Sequence, residues 1–360
     1  MQNTAKMNRR WICSDVWMNI LPSFDHAQLG LKMALLSDRF DILVDKHFDG
    51  KSELTIWRRI RIKKDIGPKP KMSVWMDGCK FVDFPLPNRP MPNKLRFKYL
   101  MIEYIDHSVL AFLRSNKQIW DRMGTKLELF IENNLTIWDV LVHEIWPIFA
   151  QNIRQLYFPN ADDLGNLRRR TSPTILTDLD QLNSINSVGL CPDGIADDGP
   201  NATARQALSK WLHMPSKNGQ PKRFYRHDYM GPPNLEWVND FKETFRLATT
   251  SVSYTIQLYF RVEPTPNEQF ELVNEWTKEK LTLKHSEEDH LINCLLQRCP
   301  IGETATAPIK FDLRYANYSG ANVNKILFDL WGGNRCIGPL SPPAEEEKEE
   351  ADQSNGNNYI

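Results

Sequence analysis

Over the first fifty positions, apolar residues recur at helical spacing. Ile12, Val16, Ile20, Leu21 and Phe24 follow an i, i+4, i+8 stripe, which predicts an amphipathic helix. Ser14 or Asp15 is placed to cap its start. The polar break Asp25-His26-Ala27-Gln28 ends it. A second stripe runs Leu29, Met33, Leu36 and Phe40, and Leu43 and Val44 carry it into a further turn or helix. The pattern predicts a helical module over residues 11–50. So small a module has a small core and leaves apolar surface over, and such surface generally meets a partner.

Beyond it the period changes. Leu54–Ile62 alternates and reads as a strand, while Met72–Met76 and Lys80–Phe84 read as a hairpin about Asp77-Gly78. Pro85, Pro87, Pro90 and Pro92 make the end of this region extended, so 51–95 is a β-rich connector. From Arg96 a rhythm sets in. Strands are expected at Tyr99–Tyr104, Leu127–Ile131, Ile153–Phe158, Ser184–Val188, Lys222–His227 and Tyr254–Phe260. Helical patterns lie between them at Ser108–Trp120, Thr136–Ala150, Asp163–Asp180 (broken at Pro173), Asn201–His213 and Leu235–Ala248. Strand starts are 28, 26, 31, 38 and 32 residues apart, the mark of a strand–helix solenoid. Alternating strands and helices of this length imply a parallel sheet. Leu127 to Ile131 and Ile153 to Phe158 resemble the spaced-apolar strand of leucine-rich repeats without its regular asparagine, so 96–262 reads as irregular, LRR-like repeats. Gln269–Leu283 reads as paired strands and Leu291–Pro300 as a buried one. They make 263–340 a β-rich cap that also holds the apolar run Ile326–Trp331.

Composition adds bounds. At 360 residues, with 41% hydrophobic and 25% charged residues, the chain has room for two domains and a sizeable core. Formal charge is zero, but Glu345, Glu346, Glu347, Glu349, Glu350 and Asp352 stand against Lys348 in the tail. Segment 341–360 therefore reads as a disordered acidic tail. The small positive excess elsewhere does not argue for nucleic acid. The six cysteines form no CxxC pair, and there is no apolar signal region or run of membrane-spanning length. The expectation is a cytoplasmic or nuclear protein with free thiols. On that setting the sequon-like stretches at Asn201 and Asn317 carry no meaning.

Catalytic motifs are missing: no phosphate-binding glycine loop, no GxSxG and no HExxH. His285 and His290 flank Glu287-Glu288-Asp289, but the spacing fits no zinc pattern, and a charged hairpin loop is the simpler reading. Cys299, beside Cys294, Leu295 and Leu296, reads as a buried structural thiol. Asp162-Asp163 and Asp197-Asp198 precede helical patterns and read as N-caps. Arg58-Arg59, Lys63-Lys64 and Arg168-Arg169-Arg170 read as solvated faces. Trp120, Trp138, Trp146, Trp211 and Trp237 lie on helical stripes and read as core. No catalytic residue, metal ligand or cofactor is assigned.

The segment Asp15 to Leu21, followed by Leu29 and Leu36-Ser-Asp-Arg-Phe40, resembles the F-box. Ile12-Cys13 stands where that motif opens with Leu-Pro, and one extra residue lies between the first helix and the aromatic position. Ile102–Leu113, Trp211 to Lys222 and the stretch ending at Ile301 are similar to F-box proteins of large families expanded in nematodes. The resemblance covers 11 to about 301 and implies an F-box-like module followed by a substrate-recruiting domain. It implies docking on a Skp-type adaptor of an SCF-type cullin–RING ubiquitin ligase, with no chemistry of the chain's own. Carried over by position, the adaptor-facing residues are Ile12, Val16, Ile20, Leu21, Leu29, Leu36 and Phe40. Some of these must instead hold the module together. The full expectation is α/β: a short helical F-box-like module, an LRR-like strand–helix solenoid and a β-rich C-terminal cap. A scaffold protein without F-box function, or an α/β enzyme, are the alternatives.

Overall fold

The computed structural model describes residues 12–24, 28–49, 59–65, 67–76, 80–92, 95, 97, 99–120, 124–129, 135–227, 236–260, 269–288 and 291–302. Several expectations lie outside the described residues: the start of the Leu54–Ile62 strand, the Asp77-Gly78 turn, His290, the Ile326–Trp331 run and the acidic tail. The strands are β1 (Ile60–Lys63), β2 (Lys71–Met76), β3 (Lys80–Pro85), β4 (Tyr99–Ile102), β5 (Thr125–Leu129) and β6 (Ile153–Phe158). They continue with β7 (Ser184–Val188), β8 (Lys222–His227), β9 (Tyr254–Phe260), β10 (Phe270–Asn274), β11 (Glu279–Glu288) and β12 (Leu291–Pro300). Together they form one twelve-stranded mixed sheet, ordered β10-β11-β12-β9-β8-β7-β6-β5-β4-β1-β2-β3. Pairing is parallel from β1 through β4 to β9. It is antiparallel at both ends, where hairpins replace helical crossovers.

Register explains the core. Ile60, Leu100, Leu127, Leu156, Ile185, Phe224 and Ile256 are matched from strand to strand. All are buried, because period-two alternation sends this row to one face of the sheet. The crossover helices between the strands cover that face, while α1 (Ser14–Ile20) and α2 (Asp38–Asp49) precede the sheet in the chain. The crossovers are α3 (His107–Ser115), α4 (Lys117–Trp120) and α5 (Leu135–Val140). They continue with α6 (Trp146–Phe149), α7 (Asp163–Arg170), α8 (Ile175–Asp178), α9 (Ala204–His213) and α10 (Trp237–Leu247). In α3, Asp106 caps the start by accepting from the amides of Ser108 and Val109. In α9, Thr203 and Gln206 close a capping box. The Thr136–Ala150 pattern is not one regular helix. A π-helical turn at Leu141–Ile145 joins α5 to α6, just ahead of Pro147, which lacks an amide hydrogen.

One hydrophobic cluster runs from Leu21, Leu29 and Leu31 through Leu95 and Phe97 to Leu296. The N-terminal module therefore shares its core with the sheet. A Cβ on Gly30 would lie 2.7 Å from Leu95 Cδ1, so glycine is what lets the module press so closely on the connector. All five tryptophans read as core are buried, as are Cys294 and Cys299.

Several local readings are corrected. The N-cap of α1 is Cys13, with no side-chain cap bond from Ser14 or Asp15, and the Ile20–Phe24 end of the stripe tightens into a 3₁₀ turn at Leu21–Ser23. Asp162 makes no cap bond at α7, and Asp163 accepts instead from Asn160. Asp197 and Asp198 are not caps either, since Thr203 holds that position. They accept from the Gly199 amide and the Thr177 hydroxyl. Arg168 is buried rather than solvated, donating to the carbonyls of Pro173, Ala202 and Gly199 and so bracing an irregular loop. Arg59 is likewise buried, paired with Glu128. His285 lies within β11 rather than in a hairpin loop.

Candidate functional site

The seven apolar positions divide by burial. Leu21 and Leu29 have no exposed surface and belong to the core, so they hold the module together and do not face a partner. Ile20 and Phe40 are half-buried. Ile12, Val16 and Leu36 are exposed, by 44%, 45% and 65%. No residue of α1 is buried at all. Its packing rests on Trp17, whose ring meets Phe40 of α2 edge-on with centroids 4.8 Å apart. The Arg39 guanidinium donates to the Ile12 carbonyl and ties the start of α1 to the first turn of α2. Leu36 stands three residues before Arg39 in sequence, so this contact brings its segment to the same end of the module. A helix of seven residues is too short to be stable alone in water, and here it presents apolar side chains outward.

On another side of α2, Asp38, Asp41 and Asp45 line a cleft of about 380 Å³ with Arg89, Pro90, Met91 and Pro92. Arg89 pairs with Asp38 at 2.6 Å. Burial pushes the Asp41 carboxyl up, Arg89 pulls it back, and Asp38 adds to the rise. The cleft joins module and connector by charge.

Elsewhere the titratable groups serve structure. Glu279 and Arg298 form a buried ion pair at 2.6 Å. Burial raises the Glu128 carboxyl to about 7 against the pull of Arg59, and raises Asp163 to about 6 despite its bonds from Asn160. Burial lowers His213 to about 4, although its Nδ1 bonds the Ser209 carbonyl, and its ring lies against Phe241 and Tyr254. The Cys294 thiol is pushed up to about 12, which makes it a poor nucleophile. The Arg298 charge also helps to lower His213, so the Glu279–Arg298 pair and the His213–Tyr254 contact lie in one buried neighbourhood. Among the described residues, no group of three or more His, Cys, Asp or Glu side chains is placed to hold a metal ion. No described helix is long and apolar enough to cross a membrane.

The face turned from the core row carries Tyr157, Asn186, Tyr225 and Gln257 in register. On this face Gln257, itself buried, donates to Tyr259 and to Asn293. Tyrosine and amide side chains combine area with adaptable hydrogen bonding. The same row continues into β5 as Glu128, which lies between Leu127 and Leu129. No family model matches this chain, and neither a curated protein nor a solved structure matches it.

Proposed function

We propose that this chain is a non-catalytic, F-box-type substrate receptor. It docks on a Skp-type adaptor of a cullin–RING ubiquitin ligase through its N-terminal helices, in the cytoplasm or nucleus. The observation that carries this reading is α1: none of its residues is buried, its Val16 is exposed, and so are Ile12 just before it and Leu36 just before α2. The strand succession supports an irregular LRR-like solenoid, because β1, β4 and then β5 to β9 follow one another in space without reversal. In this reading the sheet domain recruits the substrate; of the Tyr157–Gln257 row, Tyr157, Asn186 and Tyr225 are half-buried and Gln257 is buried. An α/β enzyme is less well supported. Open α/β sheets bind ligands where strand order reverses between crossovers, and the parallel strands here have no such point.

Each half-exposed aliphatic side chain gains about 1 kcal/mol when an adaptor covers it. A carboxylate in its place adds a desolvation cost on top of that loss. Co-expression with a Skp-type adaptor tests the reading. The wild-type chain is expected to co-elute, and Val16→Asp and Leu36→Asp are expected to abolish co-elution while far-ultraviolet circular dichroism stays unchanged. Absence of a wild-type complex sinks the proposal. Retention in both variants shows that adaptor binding uses another surface.

A further inference from the structure

The two ends of the sheet differ. At one end β3 carries Pro85, and its Asp83 accepts from Ser73 at 2.6 Å and pairs with Lys63 at 3.3 Å. A proline and charges held on the sheet keep an edge strand from pairing further. At the other end β10 carries no proline and pairs with β11 in unbroken register from Phe270 to Asn274. No strand lies on its outer side among the described residues. Phe270 continues the core row from Ile256 through Leu296 and Leu283, yet Phe270 and Leu272 are only half-buried. Trp276, in the turn that follows, is 78% exposed. The Asn274 side chain fixes that turn, accepting from the amides of Trp276 and Thr277 at 2.9 and 3.1 Å.

The chain leaves the described structure beside this edge. The Ile301 amide donates to the Lys278 carbonyl at 2.9 Å, next to the turn between β10 and β11. Gly302 then turns the chain with φ +92°, a conformation that glycine adopts freely. Residues 303–360 lie outside the described residues. In sequence, a six-residue link of Glu, Thr, Ala, Thr, Ala and Pro is followed by Ile309, Lys310, Phe311, Asp312, Leu313, Arg314 and Tyr315. Apolar and charged residues alternate there without a break, the period of a strand with one buried face.

We propose that residues 311–315 pair antiparallel with β10 and seal this edge of the sheet, with Leu313 opposite Leu272. Polarity favours this occupant. β12 ends at the end of the sheet where β10 also ends, so a strand entering there on the outer side of β10 runs against it. Reach favours it too. From β12 to the outer side of β10 is three strand spacings, about 14 Å, and residues 303–310 can extend to about 26 Å. Three hairpin-connected strands with a fourth that returns beside the first make a Greek key. The side chains are also complementary. Leu313 and Tyr315 meet Leu272 and Phe270 on the core face, Arg314 meets Glu271, and Lys310 comes to Glu275. Ile309 reaches the turn that carries Trp276. The edge is thus closed by the chain's own sequence and is not open to strands of other chains.

Residue-resolved hydrogen exchange of the full chain tests this. On β10, alternate amides point towards β11 and away from it. In the wild type both sets are expected to be protected. Leu313→Asp is expected to cut the protection of the outward set at least about tenfold and to leave the β11-bonded set unchanged, which shows that the fold is kept. Arg314→Glu sets like charges opposite each other and is expected to lower the same protection, and adding Glu271→Arg is expected to restore it. Outward amides that exchange freely in the wild type overturn the proposal, as does protection that survives Leu313→Asp. An Arg314→Glu variant indistinguishable from wild type overturns the pairing as stated. Protection that is lost on dilution assigns the edge to a second copy and overturns it as well.

Discussion

Replacing Glu279 by Gln strips the counter-charge from a buried arginine. Arg298 is 2% exposed and Glu279 0%. Arg298 Nε and Nη2 donate to Glu279 Oε2 at 3.0 and 2.6 Å, and Nη2 also reaches the Thr250 carbonyl at 2.9 Å. Glu279 Oε1 accepts from the Ser251 hydroxyl and the Val252 amide, both at 2.8 Å. The guanidinium also faces the Phe245 ring, 5.2 Å from its centroid. The pair thus ties β11 and β12 to the loop after α10. Glutamine keeps the shape and loses the charge, so Arg298 stays buried without compensation. Breaking a buried pair this way costs about 3–5 kcal/mol, a large share of the roughly 5–15 kcal/mol that holds a domain together. Arg298→Met alone leaves the carboxylate with two donors and is expected to cost less. The double variant is expected to cost less than the two single changes combined, by about 1–3 kcal/mol. Urea unfolding followed by tryptophan fluorescence, read as a midpoint shift at constant slope, measures all three. A loss under about 1 kcal/mol for Glu279→Gln, or strict additivity, would refute the reasoning.

Two further outcomes follow from the geometry. The Glu128 carboxyl is raised from 4.5 to about 7, so the folded state holds its proton more tightly than the unfolded chain does. That stabilisation is present in acid and is lost as pH rises through 7, so Glu128→Gln should gain on the order of 2–3 kcal/mol relative to wild type between pH 5 and pH 8. An equal difference at both pH values would contradict the assignment. Gly30→Ala drives a methyl group into Leu95, which is fully buried, and should cost about 1–3 kcal/mol by thermal or urea unfolding. An unchanged midpoint would mean that the module does not press on the connector as described.

Much of the layout was legible in the sequence because it depends on local period. Ile153–Phe158 and Ser184–Val188 stand as strands with the bounds that their alternation indicates. The helices between strands lie where their apolar stripes place them. The capping of α9 was also readable, as Thr203 followed three residues later by Gln206, although the Asp197-Asp198 pair, farther from the helix, offers a competing cap reading. Other features depend on contacts between distant residues. Glu279 sits in a charged stretch that looks solvated, and it is buried because β12 returns Arg298 beside it, 19 residues on. Arg168 reads as one of three surface arginines until the loop at Gly199 to Ala202 folds over it. In the candidate site the apolar stripes located the module, but a stripe cannot separate core from surface. Leu21 and Leu29 share a pattern with Val16 and Leu36 and differ only in what the sheet covers.

The central claim is that the exposed edge of the N-terminal module binds a Skp-type adaptor. The most direct test is the affinity of purified chain for purified adaptor by calorimetry, for the wild type and for Val16→Asp. The account predicts saturable one-to-one binding by the wild type and a loss of at least about tenfold in Val16→Asp, with unfolding midpoints unchanged. No binding by the wild type, or equal affinity for the two proteins, would contradict it.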